Sequence, residues 1–184
     1  MRWFWLDRFT EFVSGSHATA VKSVSLSEDY LHDHWHVYPV MPNSLVAEGM
    51  AQAGGLLVSE VYRFSELVVL AKFARCAFDG EVRPGDTLTY RAKIDQAKDA
   101  GASVYVTAQV GDRQHAEAEI FFARLSPNDA GTRHTDSPGA GSRPADMRLF
   151  DPAHLLHWLR LVGVFDVGVR PDGTRLKPED YDFN

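Results

Sequence analysis

A chain of 184 residues holds one domain with a proper core plus an appendage, since domains of about 100 to 150 residues are commonest. Its 45% apolar and 24% charged residues fit a soluble globular protein and exclude a disordered or membrane composition. A net charge of -6 without a cluster of Lys and Arg excludes a general nucleic-acid binder.

The start, MRWFWLDRF, places Asp7 and Arg8 where a signal peptide needs about 7 or more continuous apolar residues, and nothing later approaches the roughly 18 of a membrane span. Trp3, Phe4 and Trp5 are expected in the core or at a dimer seam. Residues 17–26 (HATAVKSVSL) read as a first strand. The stretch HDHWHVYPVMPNSLVAEGMAQAGG, residues 32–55, then puts His32, His34 and His36 two apart, so that on extended backbone they share a face. Three such histidines are what a metal site would use, but no fixed carboxylate or fourth ligand joins them, and no metal is expected. Asp33, on the opposite face of the same extended segment, is not expected to orient His34.

Residues 43 to about 62 read as one helix some 30 Å long, counting about 1.5 Å per residue. LVAEGMAQAGGLLVSEVY is apolar or small nearly all round, so this helix should be enclosed. Gly49, Gly54 and Gly55 each cost up to about 1 kcal/mol relative to Ala, which points to a curved sheet wrapped tightly around it. Glu48 is therefore expected to be buried, and a buried carboxyl must be paired, protonated or functional. Either backbone donors near the helix start satisfy it, or it works with a second titratable group, which His34 supplies.

Four more strands follow, at 67–78, 87–96, 102–110 and 115–125, with RPGD (83–86) as a turn and GDRQ (111–114) as a hairpin connection. The lone Cys76 permits no internal disulfide, which fits a cytoplasmic protein. Composition then shifts abruptly to Pro, Gly, Ser and Asp. We divide the chain into a main domain (1–126), a flexible linker (127–146) and a C-terminal extension (147–184). The extension carries one amphipathic helix, with Asp151 as N-cap, Pro152 at the first position, and Leu155, Leu156, Leu159 and Val162 at helical spacing. Too short to fold alone, it is expected to dock on the main domain or on a partner. The whole pattern predicts an α+β fold, an antiparallel sheet folded about a long central helix.

His34, Pro39, Met41, Pro42, Leu45, Glu48, Met50, Ala51 and Gln52 resemble the motif of the FabZ and FabA type β-hydroxyacyl-acyl-carrier-protein dehydratases. That motif runs His-Phe-Pro-x-x-Pro-(Ile/Val)-Met-Pro-Gly-x-Leu-x-x-Glu-x-Met-x-Gln, and the fourteen positions from His34 to Glu48 are the family's spacing. LDRF (6–9), AVKSVSLSEDYL (20–31), EVRPGDTL (81–88) and AEAEIFFARL (116–125) are similar to the flanking segments, so the resemblance covers nearly all of residues 4–125. It implies the hotdog fold and a homodimer, or a trimer of such dimers, in which each site takes its His from one subunit and its Glu from the other. It also implies that the enzyme turns (3R)-3-hydroxyacyl thioesters into trans-2-enoyl thioesters in fatty-acid or related lipid biosynthesis. No cofactor is implied, since the substrate arrives on the phosphopantetheine of acyl carrier protein.

The resemblance makes His34 the base for the α-proton. Glu48 is the acid for the departing hydroxyl, which requires burial to keep it protonated against the helix dipole. The backbone N–H of Asn43 would hold the thioester carbonyl, and Gln52 would orient Glu48 or a water. Three positions depart from the motif: Trp35-His36 stands for Phe-Pro, Asp33 for the Gly before the His, and Asn43 for the Gly after the second Pro. Met50, Leu56, Leu57, Phe73 and Phe78 are candidates for the acyl tunnel, and Lys72, Arg75 and Arg83 for docking the acidic carrier. The rival readings are a hotdog acyl thioesterase and a hotdog scaffold that binds acyl groups or carrier without catalysis.

Overall fold

The computed structural model describes residues 4–35, 37–125 and 152–183, with residues 34, 35 and 152 described by their backbone alone. The expected linker, Trp3, His36 and the expected N-cap Asp151 lie outside the described residues. Strands β1 (Arg8–Val13) and β2 (His17–Ser23) lead into helices α1 (Asp29–Trp35) and α2 (Asn43–Val61). Four long strands follow: β3 (Leu67–Phe78), β4 (Thr87–Lys98), β5 (Gly101–Val110) and β6 (Arg113–Leu125). The extension supplies α3 (Pro152–Leu161), α4 (Val164–Val167), β7 (Gly168–Val169) and a 3-10 turn at Pro178–Asp180.

All seven strands form one sheet in the order β3-β6-β5-β4-β2-β1-β7. β1 to β6 pair antiparallel, and β7 joins β1 in parallel. The sheet curls around α2, the hotdog arrangement expected. Ala20, Tyr90, Ala108 and Ala116 are cross-strand partners in one row across it, and all four are buried. This row of small side chains with one large one lets the sheet approach the helix closely. On the helix side, a Cβ on Gly54 or Gly55 would lie 3.3 or 3.2 Å from the Phe122 ring, so these glycines do mark close approach.

Two expectations change. The histidine segment is helical through residue 35 rather than extended, because Leu31 turns into the core, 1% exposed, and Tyr30 packs edge-on against the Trp5 ring. Positions 32 and 34 therefore no longer share a face, which removes the geometry on which a histidine metal site would rest. Nor is α2 enclosed all round: Val46, Gly49, Met50, Ala53, Leu57 and their neighbours face the sheet, whereas Ser44 and Glu48 are exposed and Gln52, Gly55 and Ser59 only half-buried. Ser44, Glu48 and Gln52 recur every four residues with Ser59 two turns on, so the helix has one uncovered stripe of polar residues, interrupted at Gly55 by the Phe122 ring.

The extension packs against both ends of the main module. Trp158 of α3 stacks on Phe4 at 4.1 Å, the Phe9 N–H donates to the Val162 carbonyl, and the Ser14 N–H donates to that of Val169. The tail then crosses to the far end of α2, where Tyr181 Oη donates a buried 2.8 Å hydrogen bond to Glu60 Oε1. Just beyond, Arg63 (φ 58°) and Phe64 (φ 53°) are two successive left-handed residues without glycine. Such a conformation costs about 1–2 kcal/mol per residue. Tail contacts hold it: Arg63 donates to the Asp180 carbonyl, and the Phe64 ring packs on Tyr181 and Phe183. Tyr181→Phe leaves the buried Glu60 carboxylate without this donor, and is expected to lower stability by about 2 kcal/mol, a fall in Tm of roughly 4–8 °C in thermal denaturation.

Candidate active site

Pro39 and Pro42 bracket the short segment that turns α1 into α2, and the β3–β4 loop braces it. Met41 donates its N–H to the Val82 carbonyl at 2.8 Å, and its side chain is 2% exposed. Tyr38 Oη donates to Glu81 Oε2 at 2.8 Å, while Arg83 donates to both Tyr38 Oη (2.6 Å) and Glu81 (2.7 Å) and lies over the Tyr38 ring. Hydrogen bonds from Arg83, and then from Tyr38, hold the Glu81 carboxyl below the ordinary carboxylate range. Arg113 fixes the same loop from β6, donating to the carbonyls of Asp79 and Glu81.

Held this way, α2 begins at Asn43 with Pro42 as its N-cap and no side-chain cap. The N–H groups of Leu45 and Val46 both turn back to the Pro42 carbonyl. The N–H of Asn43, one residue into the helix, has no intrahelical acceptor and sits at the positive end of the helix dipole. Asn43 is not among the residues of positive φ, so it occupies this position with ordinary helical backbone.

Glu48 lies five residues on, about 7.5 Å along the helix axis. Gln52, one turn further, donates Nε2 to Glu48 Oε1 at 2.9 Å, and its Oε1 accepts the backbone N–H of Trp5 at 2.9 Å. The expectation that Glu48 is buried is corrected: it is exposed on this chain, because the sheet covers the opposite face of α2. The buried carboxylate of the helix is Glu60, 6% exposed. Thus Asn43, Glu48 and Gln52 share the first three turns of α2, while position 34 lies in the last turn of α1 with its imidazole outside the described side chains. A carboxyl held in one orientation by Gln52 suits proton donation, and helix-terminal N–H groups without an intrahelical acceptor suit a carbonyl that gains charge.

Of the other suggested residues, Met50, Leu56 and Leu57 are core, and Phe73 and Phe78 are half-buried on β3. Arg75 pairs with Glu117 at 2.8 Å and Arg83 with Glu81, so both docking candidates have a carboxylate at hand, while Lys72 lies over the Phe121 ring. Sequence reasoning missed Trp5 and the Tyr38 brace. Trp5 acts through its backbone, which no residue type encodes, whereas Tyr38, directly before Pro39, was there to be noticed. No helix among the described residues is long and apolar enough to cross a membrane.

A model of the FabA-like domain family matches residues 3–119. The 3-hydroxyacyl-[acyl-carrier-protein] dehydratase FabZ of Macrococcus caseolyticus is 34% identical over 119 residues, 64% of this chain and 82% of the relative. Its counterpart in Ruminiclostridium cellulolyticum is 36% identical over 119 residues, covering 64% and 84%. Among solved structures, the dehydratase heterocomplex ApeI:P from Xenorhabdus doucetiae matches with a TM-score of 0.59 and 15% identity, over 70% of this chain and 88% of that one. A hypothetical thioesterase from Streptococcus pneumoniae solved with coenzyme A matches at 0.52 and 12%, over 64% and 84%. At such identities the structural likeness speaks for the fold alone.

A Cβ on Gly49, the residue after Glu48, would lie 2.4 Å from Tyr90 Oη and 2.6 Å from Cζ. Gly49→Ala is therefore expected to lower unfolding free energy by about 1–3 kcal/mol, read from denaturant midpoints, since the buried phenol has to shift.

Proposed function

Because this chain belongs to the FabA-like family of hotdog dehydratases, we propose that it works as follows on its 3-hydroxyacyl thioester. The enzyme is a 3-hydroxyacyl-[acyl-carrier-protein] dehydratase of fatty-acid biosynthesis: a proton leaves C2, hydroxide leaves C3 as water, and a trans-2 double bond forms between them. His34, neutral at working pH, takes the C2 proton. Glu48 protonates the leaving hydroxyl. The Asn43 N–H, at the α2 terminus, binds the thioester oxygen as negative charge builds on it. Gln52 holds Glu48 in the rotamer that faces the substrate. Acid, base and carbonyl donor are then all protein groups, and the reading includes no cofactor. The observation that carries it is Glu48, hydrogen-bonded to Gln52 on the same helix end as the Asn43 N–H, which has no intrahelical acceptor, at the motif's spacing.

The substrate comes on acyl carrier protein, and the working form in this reading is a homodimer. Two features support a second copy. β3 lies at the sheet edge, paired among the described strands with β6 alone and mostly exposed on both faces, and such an edge strand invites pairing. The uncovered stripe of α2 carries Glu48 outward, so a partner laid over it would supply the enclosure that one chain lacks. In that arrangement each site combines His34 of one copy with Glu48 of the other.

The test follows loss of the enoyl-thioester ultraviolet band in the hydration direction, with crotonyl and longer enoyl groups on carrier protein. Wild type is expected to consume the band, while His34→Ala and Glu48→Gln each lose at least about two orders of magnitude. An inert wild type that still binds carrier protein would overturn the reading in favour of a non-catalytic scaffold, and thiol release without enoyl chemistry would favour a thioesterase.

A further inference from the structure

Helix α3 lies beyond residue 119, where the family match ends, so the FabA-like pattern assigns it no role. Its Trp158 nevertheless stands in line with the candidate acid. Trp158, 9% exposed, stacks face to face on the Phe4 ring, with centroids 4.1 Å and planes 18° apart. The peptide that follows Phe4 carries the Trp5 N–H, which donates to Gln52 Oε1 at 2.9 Å. Gln52 Nε2 in turn donates to Glu48 Oε1 at 2.9 Å. One line of contacts within a single chain thus runs from the extension to the carboxyl.

What that peptide controls is the orientation of an amide. A side-chain amide has an acceptor end and a donor end, and a backbone N–H can only donate. With the Trp5 N–H on the acceptor end of Gln52, its donor end has to face Glu48. Glu48 Oε1 then receives an N–H, which leaves Oε2 for the proton that the carboxyl delivers. An amide turned round would set an oxygen against Glu48 and hold that proton on the side away from the substrate.

The peptide depends on its side chains for anchorage, because Phe4, Trp5 and Leu6 precede β1 and belong to no strand or helix. Trp5 packs edge-on against Tyr30 of α1 at 5.2 Å. Phe4 is only half-buried, and the Trp158 ring is what covers its face. Helix α3 is itself fixed to the main domain, through the fully buried Leu159 and the bond from the Phe9 N–H to the Val162 carbonyl.

We propose that Trp158 is a positioning residue for the dehydratase: stacked on Phe4, it holds the Phe4–Trp5 peptide so that Gln52 presents its amide nitrogen to Glu48. The effect on rate rests on the role given to Glu48 above, whereas the hold on the Gln52 amide does not. Trp158 touches no reacting atom. It acts on the direction in which the acid points, and small errors there become large losses of rate.

The test uses the full-length protein in the enoyl-thioester assay. Trp158→Ala and Phe4→Leu are each expected to lose about tenfold in kcat while KM stays within about twofold. Trp158→Phe, which keeps a ring to stack, is expected to stay within about threefold of wild type. In a Gln52→Ala background, Trp158→Ala is expected to change kcat by no more than about twofold, since the group it acts through is already gone. Tyr181→Phe, which loosens the far end of the extension, is expected to keep kcat. An unchanged kcat in Phe4→Leu, a full further loss in the Gln52→Ala background, or an equal loss in Tyr181→Phe would overturn the proposal. Phe4→Leu leaves α3 intact and so decides the matter even if Trp158→Ala fails to fold. Failure of the underlying reading looks different, because wild type would then be inert or Glu48→Gln would keep its activity. In that case the side-chain amide signal of Gln52 in nitrogen–proton NMR, identified by its loss in Gln52→Ala, decides the hold alone. It is expected to move toward the position of an exposed glutamine in Phe4→Leu, and an unmoved signal would overturn the hold.

Discussion

Gly49 against Tyr90 is the contact on which the architecture turns. The phenol stands in a row of alanines, Ala20, Ala108 and Ala116, and reaches up to a helix position where even a methyl group would collide with it. A helix seated this low keeps its glycines, alanines and aliphatic residues toward the sheet and turns its few polar residues away. Glu48 and Gln52 are thereby aimed outward by packing alone. The helix N-terminus is set by a separate clamp, in which Met41 bonds to Val82 and Tyr38 is held by Glu81 and Arg83. Seat and clamp together put carboxyl and helix-terminal N–H groups at one end of α2.

Much of this was legible. The helix expected from 43 to about 62 spans Asn43–Val61, and the strand expected at 67–78 spans Leu67–Phe78, because apolar residues and turn signals coincide there. β1 escaped notice for a definite reason: a register shift between Phe9 and Glu11 adds a residue, so the two buried phenylalanines fall three apart and break the alternation that marks a strand. The histidine segment reads as extended because its spacing of two draws attention away from Leu31, the residue that sets its conformation. The four-residue gap from Glu48 to Gln52 does predict their hydrogen bond, since side chains one helical turn apart meet. Which face of α2 is covered was not legible, because small residues on both sides give a weak amphipathic signal, and the exposed stripe belongs to contacts outside one chain.

The exposure of Glu48 and the openness of β3 have a common origin. Both lie where the curled sheet stops short of closing around the helix, so one chain presents an unpaired edge beside a bare carboxyl. The opposite edge differs, since β7 pairs along part of β1 and α3 and α4 pack beside it. That asymmetry leaves the sheet with one open side. The helical backbone of Asn43 also bears on the motif's Gly at this position: a residue with a side chain fits there, its N–H unchanged.

The bond between Tyr181 and Glu60 joins residues 121 positions apart, and through it the tail holds the left-handed turn at Arg63 and Phe64 that launches β3. During synthesis the ribosome must therefore deliver all of those residues before the exit of α2 is fixed, a delay of roughly 6 to 24 s at about 5–20 residues per second. From the completion of β6 to the arrival of Tyr181, roughly 3 to 11 s of it, the nascent chain has its helix and long strands but neither the brace at the end of α2 nor the cover on β1. A chaperone meeting the chain then would find both sheet edges open, and an expressed fragment ending after β6 would stay in that condition permanently.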